Sequence, residues 1–478
     1  LGWVFIPFYS RSMVYTMPEF LERRYNPQSR TILSVISLVS YVLTKVAVTV
    51  YAGGLVFQQV FGIKELWGID FFWIAAIGLV VLTALYTIFG GMKSVLYTSV
   101  LQTPILLLGS LIILVLGFKE LGGWDEMMRV CGAVTVNDYG DTMTNLIRSN
   151  DDANFPWLGA LIGSAIIGFW YWCTDQFIVQ RVLSGKNEME ARRGTIFGAY
   201  LKLLPVFLFL IPGMIAFALH QKYIGAGGEG FLPMLENGTA NADAAFPTLV
   251  AKLLPAGVKG LVVCGILAAL MSSLASLFNS SAMLFTIDFY KRFRPQTSEK
   301  KLVGIGQVAT VVIVILGILW IPIMRSVGDV LYTYLQDVQS VLAPGIAAAF
   351  LLGICWKRTS AQGGMWGLIS GMVIGLTRLG AKVYYSNAGE VADSTFKYLF
   401  YDMNWLFFCG WMFLFCIIVV IVVSLATEAP TAEKIQGLVF GTATKEQKAS
   451  TRASWNHWDI IHTVIILAIT GAFYWYFW

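Results

Sequence analysis

The stretch Leu270-Met271-Ser272-Ser273-Leu274-Ala275-Ser276-Leu277-Phe278-Asn279-Ser280-Ser281 sets small, oxygen-bearing side chains at helical spacing. Ala269, Ser272, Ser273, Ser276 and Ser280 stand at i, i+3, i+4, i+7 and i+11, which is one face of a helix. Two adjacent hydroxyls with neighbouring carbonyls suit a hard cation that takes oxygen ligands. The same stripe also suits close helix–helix packing, for which small residues are the usual device. The residues alone leave both readings open.

A second constellation is Gly168-Phe169-Trp170-Tyr171-Trp172-Cys173-Thr174-Asp175-Gln176. An aromatic face stacks on the C–H face of a sugar ring, and the Asp175 carboxylate and Gln176 amide are groups that hydrogen-bond hydroxyls. The alternative is an aromatic packing layer with Asp175 capping a neighbouring helix. An ionisable group this deep in an apolar run points to function. Lys202 lies about two turns into an apolar helix, where it either meets a solute or snorkels to the cytoplasmic side. Pro205 and Pro212 follow it and make a straight helix unexpected there. Gln336 and Gln339 offer amides to a polar solute, or simply mark the outer end of a helix. The Pro344-Gly345 pair beyond them predicts a broken helix. Lys45 is a further charge within an apolar run, with the same two readings as Lys202.

The elements that position these residues are membrane spans. The chain has 478 residues, 57% of them apolar and 13% charged, with a mean hydropathy of +0.69. A soluble domain of this length needs more charge to cover its surface. Apolar runs of bilayer length predict roughly eleven spans. They are Thr31–Ile63, Phe71–Phe89, Ser94–Phe118, Pro156–Val182, Gly194–Leu219, Gly257–Phe289, Leu302–Met324, Val330–Trp356, Gly363–Tyr384, Asn404–Leu425 and Ile460–Trp478. Leu1 to Tyr9 is apolar but too short to cross, and reads as the tail of a helix begun upstream. One set of loops is basic, with Arg23, Arg24 and Arg30, Lys93, Arg181 to Arg193, Lys291 to Lys301, and Lys357-Arg358. The other set, 119–155, 221–256 and 385–395, is longer and more acidic. The basic set and the 427–456 connection belong in the cytoplasm by the positive-inside rule, and the C-terminus outside. Phe71-Phe72-Trp73 and the aromatic run Tyr474–Trp478 read as interfacial belts.

Other chemistries find no footing. There is no HExxH, GxSxG or Walker loop, so an enzyme or an ATP-driven pump is not expected. No segment is long and basic enough to bind nucleic acid. Cys131, Cys173, Cys264, Cys355, Cys409 and Cys416 are scattered and read as small buried hydrophobes. Asn237-Gly238-Thr239 matches a glycosylation sequon in an outer loop.

Taken together these regions resemble the sodium:solute symporter family, and its sodium/glucose (galactose) cotransporter branch most of all. The likeness rests on Phe169 to Gln176 with Gln180-Arg181, Tyr200-Leu201-Lys202-Leu203, Met271 to Leu274 with Phe278-Asn279-Ser280, Thr286 to Tyr290, and Phe350 to Arg358. Thr16 to Leu21 and Gly90-Gly91 are further landmarks. The resemblance implies an all-α, polytopic membrane protein of the leucine-transporter type. Such a fold has an inverted five-plus-five helix repeat, extra C-terminal helices and alternating access. Residues 1–118 would be the remainder of the first repeat, 156–356 the second, and 363–478 peripheral helices of a single transporter domain. By resemblance Ala269, Ser272 and Ser273 supply part of the sodium site, sodium being the one metal and there being no other cofactor. Tyr171 would be an inner gate on the sugar ring with Trp172 beside it. Lys202 and Gln336 would bond sugar hydroxyls, and Lys45 matches a pocket position on the third core helix. The family's first core helix and most of its second would precede Leu1, so the chain reads as a fragment with half a sodium site and an incomplete pocket.

Ser99 stands where the branch usually has an Asp tied to a second cation site, which predicts one sodium per solute. The expected activity is sodium-coupled import of a sugar such as glucose or galactose by a monomer in the cell membrane. Inositol, sialic acid or proline are alternatives, whereas Lys202 opposes a cationic solute such as choline. A non-transporting sensor is a further alternative, and the 427–456 segment is short for the output domain it would need. A sodium channel is disfavoured for want of a charged filter ring.

Overall fold

A computed structural model describes residues 1–477 other than 13, 15, 236, 237, 328, 329 and 389–391; the side chains at 86, 88–96, 98, 101 and 325–327 also lie outside the description. The sequon at Asn237, the Gly90-Gly91 landmark and the Lys93 side chain therefore fall outside it. The described residues are mostly helical. Their strands are confined to a hairpin of Glu65–Leu66 with Ile69–Asp70. Trp67 and Gly68 turn it with φ of 56° and 76°, the left-handed pair that a two-residue hairpin uses.

Among the described residues nine helices are long and apolar enough to cross a membrane. They coincide with nine of the expected spans. The expected span Gly363–Tyr384 is the helix Ala361–Asn387. The expected spans Phe71–Phe89 and Ser94–Phe118 are instead one helix, Phe71–Leu121, of 51 residues. At 1.5 Å per residue it runs about 76 Å, far beyond the ~30 Å of a bilayer core. Its middle contains glycines but no proline before Pro104, and glycine weakens a helix without ending it.

Packing divides the chain into two compact units. One comprises Leu1–Thr44, Asn150–Ala199 and Ser280–Gly471; the other comprises Lys45–Ser149, Tyr200–Asn279 and Ala472–Trp478.

The core of the first unit is where the helices Leu331–Cys355, Ala361–Asn387 and Trp405–Ala426 cross. Gly363, Gly367, Gly371 and Gly375 repeat every fourth residue and form one glycine face. A Cβ added to Gly371 would stand 2.6 Å from the Gly345 Cα, and one on Gly375 would stand 2.2 Å from the Val341 carbonyl oxygen. Gly367 meets Val420 and Gly363 meets Ser424 just as closely. The expected break at Pro344-Gly345 is absent, and Leu331–Cys355 is one continuous helix. Gly345 is there for the crossing with Gly371. Proline within a membrane helix is tolerated when neighbours surround it, and Pro344 is buried.

At the end of that helix Arg24, 1% exposed, donates from Nε to the Gly353 carbonyl (2.7 Å) and from Nη2 to that of Trp356 (3.2 Å). These are carbonyls that a helix terminus leaves without internal partners, and a cation suits that end. Tyr25 donates to the Ala349 oxygen at 2.7 Å, and burial pushes its phenol up to about 12, so it remains a donor. Thr16 caps the helix Met17–Arg24 by accepting from the Glu19 amide, and Asn26 caps Pro27–Ser40 from the Ser29 amide. The 427–456 segment contributes only the short helices Ala432–Ile435 and Lys445–Ala453.

The second unit packs the helices Ala47–Phe61, Phe71–Leu121, Ile211–Gly225 and Ala256–Met283 by the same small-against-large device. Gly54 receives the Phe72 ring, Gly109 the Val262 side chain and Gly117 that of Ile215. Phe72 is 1% exposed and belongs to this core, which corrects its reading as an interfacial aromatic. Trp475, 83% exposed, keeps the belt character expected of the C-terminal aromatics. Pro205 ends the helix Glu188–Pro205, a wide turn spans Val206–Leu210, and Ile211–Gly225 follows with Pro212 in its first turn. The span around the two prolines is therefore not one uniform α-helix. All six cysteines are free, with Cys264 and Cys355 exposed rather than buried.

Candidate functional site

In the first unit the expected span Pro156–Val182 is not continuous. The helix Trp157–Phe169 widens into a π turn at Trp170–Thr174 and stops at Asp175, whose backbone is extended at φ −76° and ψ 124°. A new helix, Gln176–Leu183, then begins. Asp175 caps that helix by accepting from the Phe177 amide at 3.1 Å. The phenol of Tyr41 donates to the same carboxylate oxygen at 3.0 Å and accepts from the Phe177 amide at 3.0 Å. Tyr41 itself opens another π turn, Tyr41–Val46, within the span Pro27–Phe61. Such turns are local widenings that recur at functional sites.

The rest of the break is also satisfied by side chains. Gln176 accepts the Met17 amide on Oε1 at 2.8 Å and is 1% exposed. Tyr9 donates to the Cys173 carbonyl, and Thr174 donates to that of Trp170 at 2.8 Å. Asp175 and Gln176 are thus buried and bonded within the protein. Trp172, by contrast, is 40% exposed. Tyr171 is half-buried, and its ring meets that of Trp172 edge-on at 5.1 Å and 87°. An edge-on pair presents one aromatic face outward, the geometry a sugar's C–H face can use.

Gln336 lies half-buried on Leu331–Cys355, whereas Gln339 is 6% exposed and belongs to the helix's packed face. The neighbouring Asp337 pairs with Lys382 and stands 3.6 Å from Arg378. Tyr334, two residues before Gln336, donates to the Leu43 carbonyl at 3.0 Å and accepts from the Trp320 indole at 2.6 Å.

In the second unit the serine stripe divides into two kinds. Ser276, 1% exposed, donates back to the Ser272 carbonyl at 2.9 Å, a use internal to the helix. Ser272 is 7% exposed, and its hydroxyl lies 2.6 Å from that of Ser99. Ser273 is exposed and Ala269 half-buried one turn earlier. This gives a hydroxyl pair beside an exposed hydroxyl, an oxygen-rich setting of the sort a hard cation takes. Lys202 is exposed, one turn before Pro205, and Lys45 is half-buried in its π turn. Ser280, the last member of the stripe, falls in the first unit and donates to Gln180 at 3.0 Å.

Two features lay beyond the sequence reading. Tyr41 was not singled out, although it sits one helical turn before Lys45. Ser99 was marked only as a departure from the family, and its contact with Ser272 joins residues 173 apart.

The comparisons with known proteins decide the family. The sodium:solute symporter family profile matches residues 1–371. This chain belongs to the sodium:solute symporter family. As a member it is a membrane transporter chain rather than an enzyme, and the ion coupled to the solute in this family is sodium. It is 36% identical over 505 residues to the bovine sodium/mannose cotransporter, an alignment taking in 100% of this chain and 82% of that one. It is 36% identical to human sodium/myo-inositol cotransporter 2, over 92% of this chain and 66% of that one. Against sheep sodium/glucose cotransporter 1 it is 38% identical, over 90% of this chain and 66% of that one. The chain thus spans about two thirds of the length of most of these curated relatives. A solved structure of a Na+-coupled sialic acid symporter, substrate-bound and outward-open, aligns with a TM-score of 0.66 over 89% of this chain and 80% of that one, at 21% identity. That likeness is one of fold, the leucine-transporter type expected from the sequence.

Proposed function

We propose that this chain belongs to a symporter that imports a sugar such as glucose or galactose together with one sodium ion, by alternating access. The observation that carries the sugar reading is the helix break at Asp175, which leaves Trp172 exposed beside Tyr171 within a membrane-length helix. In the first unit Tyr171 and Trp172 are the stacking surface, Gln336 is a group that bonds hydroxyls, and Asp175 and Gln176 shape the platform from within; in the second unit Lys45 and Lys202 are hydroxyl-bonding groups. A neutral polyol fits these partners, since a cationic solute would face Lys202.

Sodium is held by Ala269, Ser272 and Ser273. The hydroxyl of Ser99 beside Ser272 supports a single ion, because no carboxylate stands there to hold a second. Coupling requires that sodium and sugar favour the same state of the protein; tight binding alone shifts no equilibrium. Residues 1–118 and 156–356 are the two repeats, 363–478 is peripheral, and the working unit is one copy in the lipid bilayer. The test is uptake by the full-length protein in proteoliposomes under an inward sodium gradient, with labelled glucose, galactose, mannose and myo-inositol compared. Accumulation of at least one hexose, lost when choline replaces sodium, supports the reading. Accumulation of none of them, with sialic acid or proline carried instead, rejects the sugar assignment.

A further inference from the structure

We propose that Tyr41 is a positioning residue for solute binding, acting through Asp175 to fix the helix break on which Tyr171 and Trp172 stand. This rests on the assignment of those two aromatics as the solute's stacking surface. The Tyr41 hydroxyl has one proton to give and lone pairs to receive, and the break uses both. It donates to Asp175 Oδ1 and accepts the Phe177 amide, each at 3.0 Å, while that amide also reaches Asp175 Oδ1 at 3.1 Å. Three groups therefore close a ring of hydrogen bonds across the discontinuity.

The ring is sealed from water. Tyr41 is 1% exposed and Asp175 is 5% exposed. A hydroxyl and a carboxylate so placed lose their partner without gaining a solvent substitute. The backbone before the break is a π turn of five residues, Trp170–Thr174, a local widening of the kind that recurs at functional sites. Tyr9 and Thr174 hold the carbonyls of Cys173 and Trp170 in the turn, and the ring of hydrogen bonds at Asp175 holds its end. Tyr171 and Trp172 lie within that turn, four and three residues before Asp175, so an unpinned end changes where their rings point. The Trp172 ring is 40% exposed and has only partial packing to hold it otherwise. Tyr41 also opens the π turn that carries Lys45 four residues on, so one short segment holds both the pin and a solute-site lysine.

The inference separates two roles for Asp175. As a direct ligand its charge and reach toward solute would matter. As a cap and acceptor its oxygen matters, and an asparagine oxygen serves at a helix N-cap as well as an aspartate oxygen does.

The test uses the full-length protein in proteoliposomes with Tyr41→Phe, Asp175→Ala and Asp175→Asn, corrected for the amount inserted. Tyr41→Phe and Asp175→Ala are expected to raise the KM for sugar about tenfold while turnover and the sodium concentration for half-activation stay within about twofold. Asp175→Asn, which restores the acceptor oxygen, is expected to recover KM to within about threefold of the natural protein. An unchanged KM in Tyr41→Phe overturns the proposal, as does an Asp175→Asn defect equal to that of Asp175→Ala. A second measurement, amide hydrogen exchange over residues 170–180 in detergent, needs no substrate. Exchange at least tenfold faster in Tyr41→Phe supports the pin, and unchanged exchange overturns it. Should the natural protein carry no sugar, the sugar assignment fails separately and the exchange result alone decides on Tyr41.

Discussion

The crossing of Gly345 and Gly371 makes a sharp prediction about two single-methyl substitutions on one helix. In Gly371→Ala the new Cβ lies 2.6 Å from the Gly345 Cα and 3.1 Å from its nitrogen. Carbon atoms in good contact stand ~3.5–4.0 Å apart, so about 1 Å is missing. The obstacle is backbone on a buried helix and cannot swing aside; the two helices must separate. Overpacking of this kind costs about 1–3 kcal/mol. Alanine in place of a helical glycine returns roughly 0.5–1 kcal/mol through chain entropy. Gly380, on the same helix, has nothing within 4 Å of a built Cβ, so Gly380→Ala should show only the gain. The entropy gain is common to both, so the two variants should differ by the overpacking cost, about 1–3 kcal/mol. Thermal unfolding of the purified proteins in detergent reads this as a Tm for Gly371→Ala about 1–3 °C below that for Gly380→Ala, since a chain of 478 residues unfolds with an entropy of about 1 kcal/mol/K. Equal melting of the two variants would refute the glycine-face account of the first unit's core.

Other outcomes follow from the same reasoning. Arg24→Met keeps the apolar stem but strips the Gly353 and Trp356 carbonyls of their cationic donor, so unfolding in detergent should show a loss of about 2–4 kcal/mol, and unchanged stability would contradict the capping role. With a serine hydroxyl at 99, inward current and solute flux measured on the same membranes should stand at one charge per solute; a ratio of two would show a second ion that the Ser99–Ser272 pair does not explain.

The spans were legible because the bilayer imposes a length and an apolar composition that a sequence states directly. The fine structure within them was not. Nothing in Phe169 to Gln176 is a proline or glycine, so no local residue announces the break at Asp175. It is held by Tyr41, 134 residues away, and by Met17 on Gln176. Pro344-Gly345 carries the usual local signal of a break and does not break, because Gly345 answers to Gly371 on the next helix. Two spans were expected on either side of residues 90–93, yet one helix, Phe71–Leu121, runs through them. The four-residue glycine repeat from Gly363 to Gly375 was present in the sequence as a packing signal and does account for the central crossing. Spacing alone groups the serine stripe on one helix face. It could not separate Ser276, which bonds its own helix, from Ser272, which meets Ser99, or from Ser273, which is exposed.

The central claim, that sodium held at the serine stripe drives sugar import, is met most directly by one comparison. Labelled glucose and galactose uptake is measured in proteoliposomes of the full-length protein and of Ser273→Ala, under an inward sodium gradient and with choline in place of sodium. The account predicts concentrative, sodium-dependent uptake by the natural protein that Ser273→Ala reduces by at least about tenfold, the loss of a charge-assisted ligand worth about 1.5–3 kcal/mol. Uptake by Ser273→Ala that keeps its full sodium dependence would contradict it.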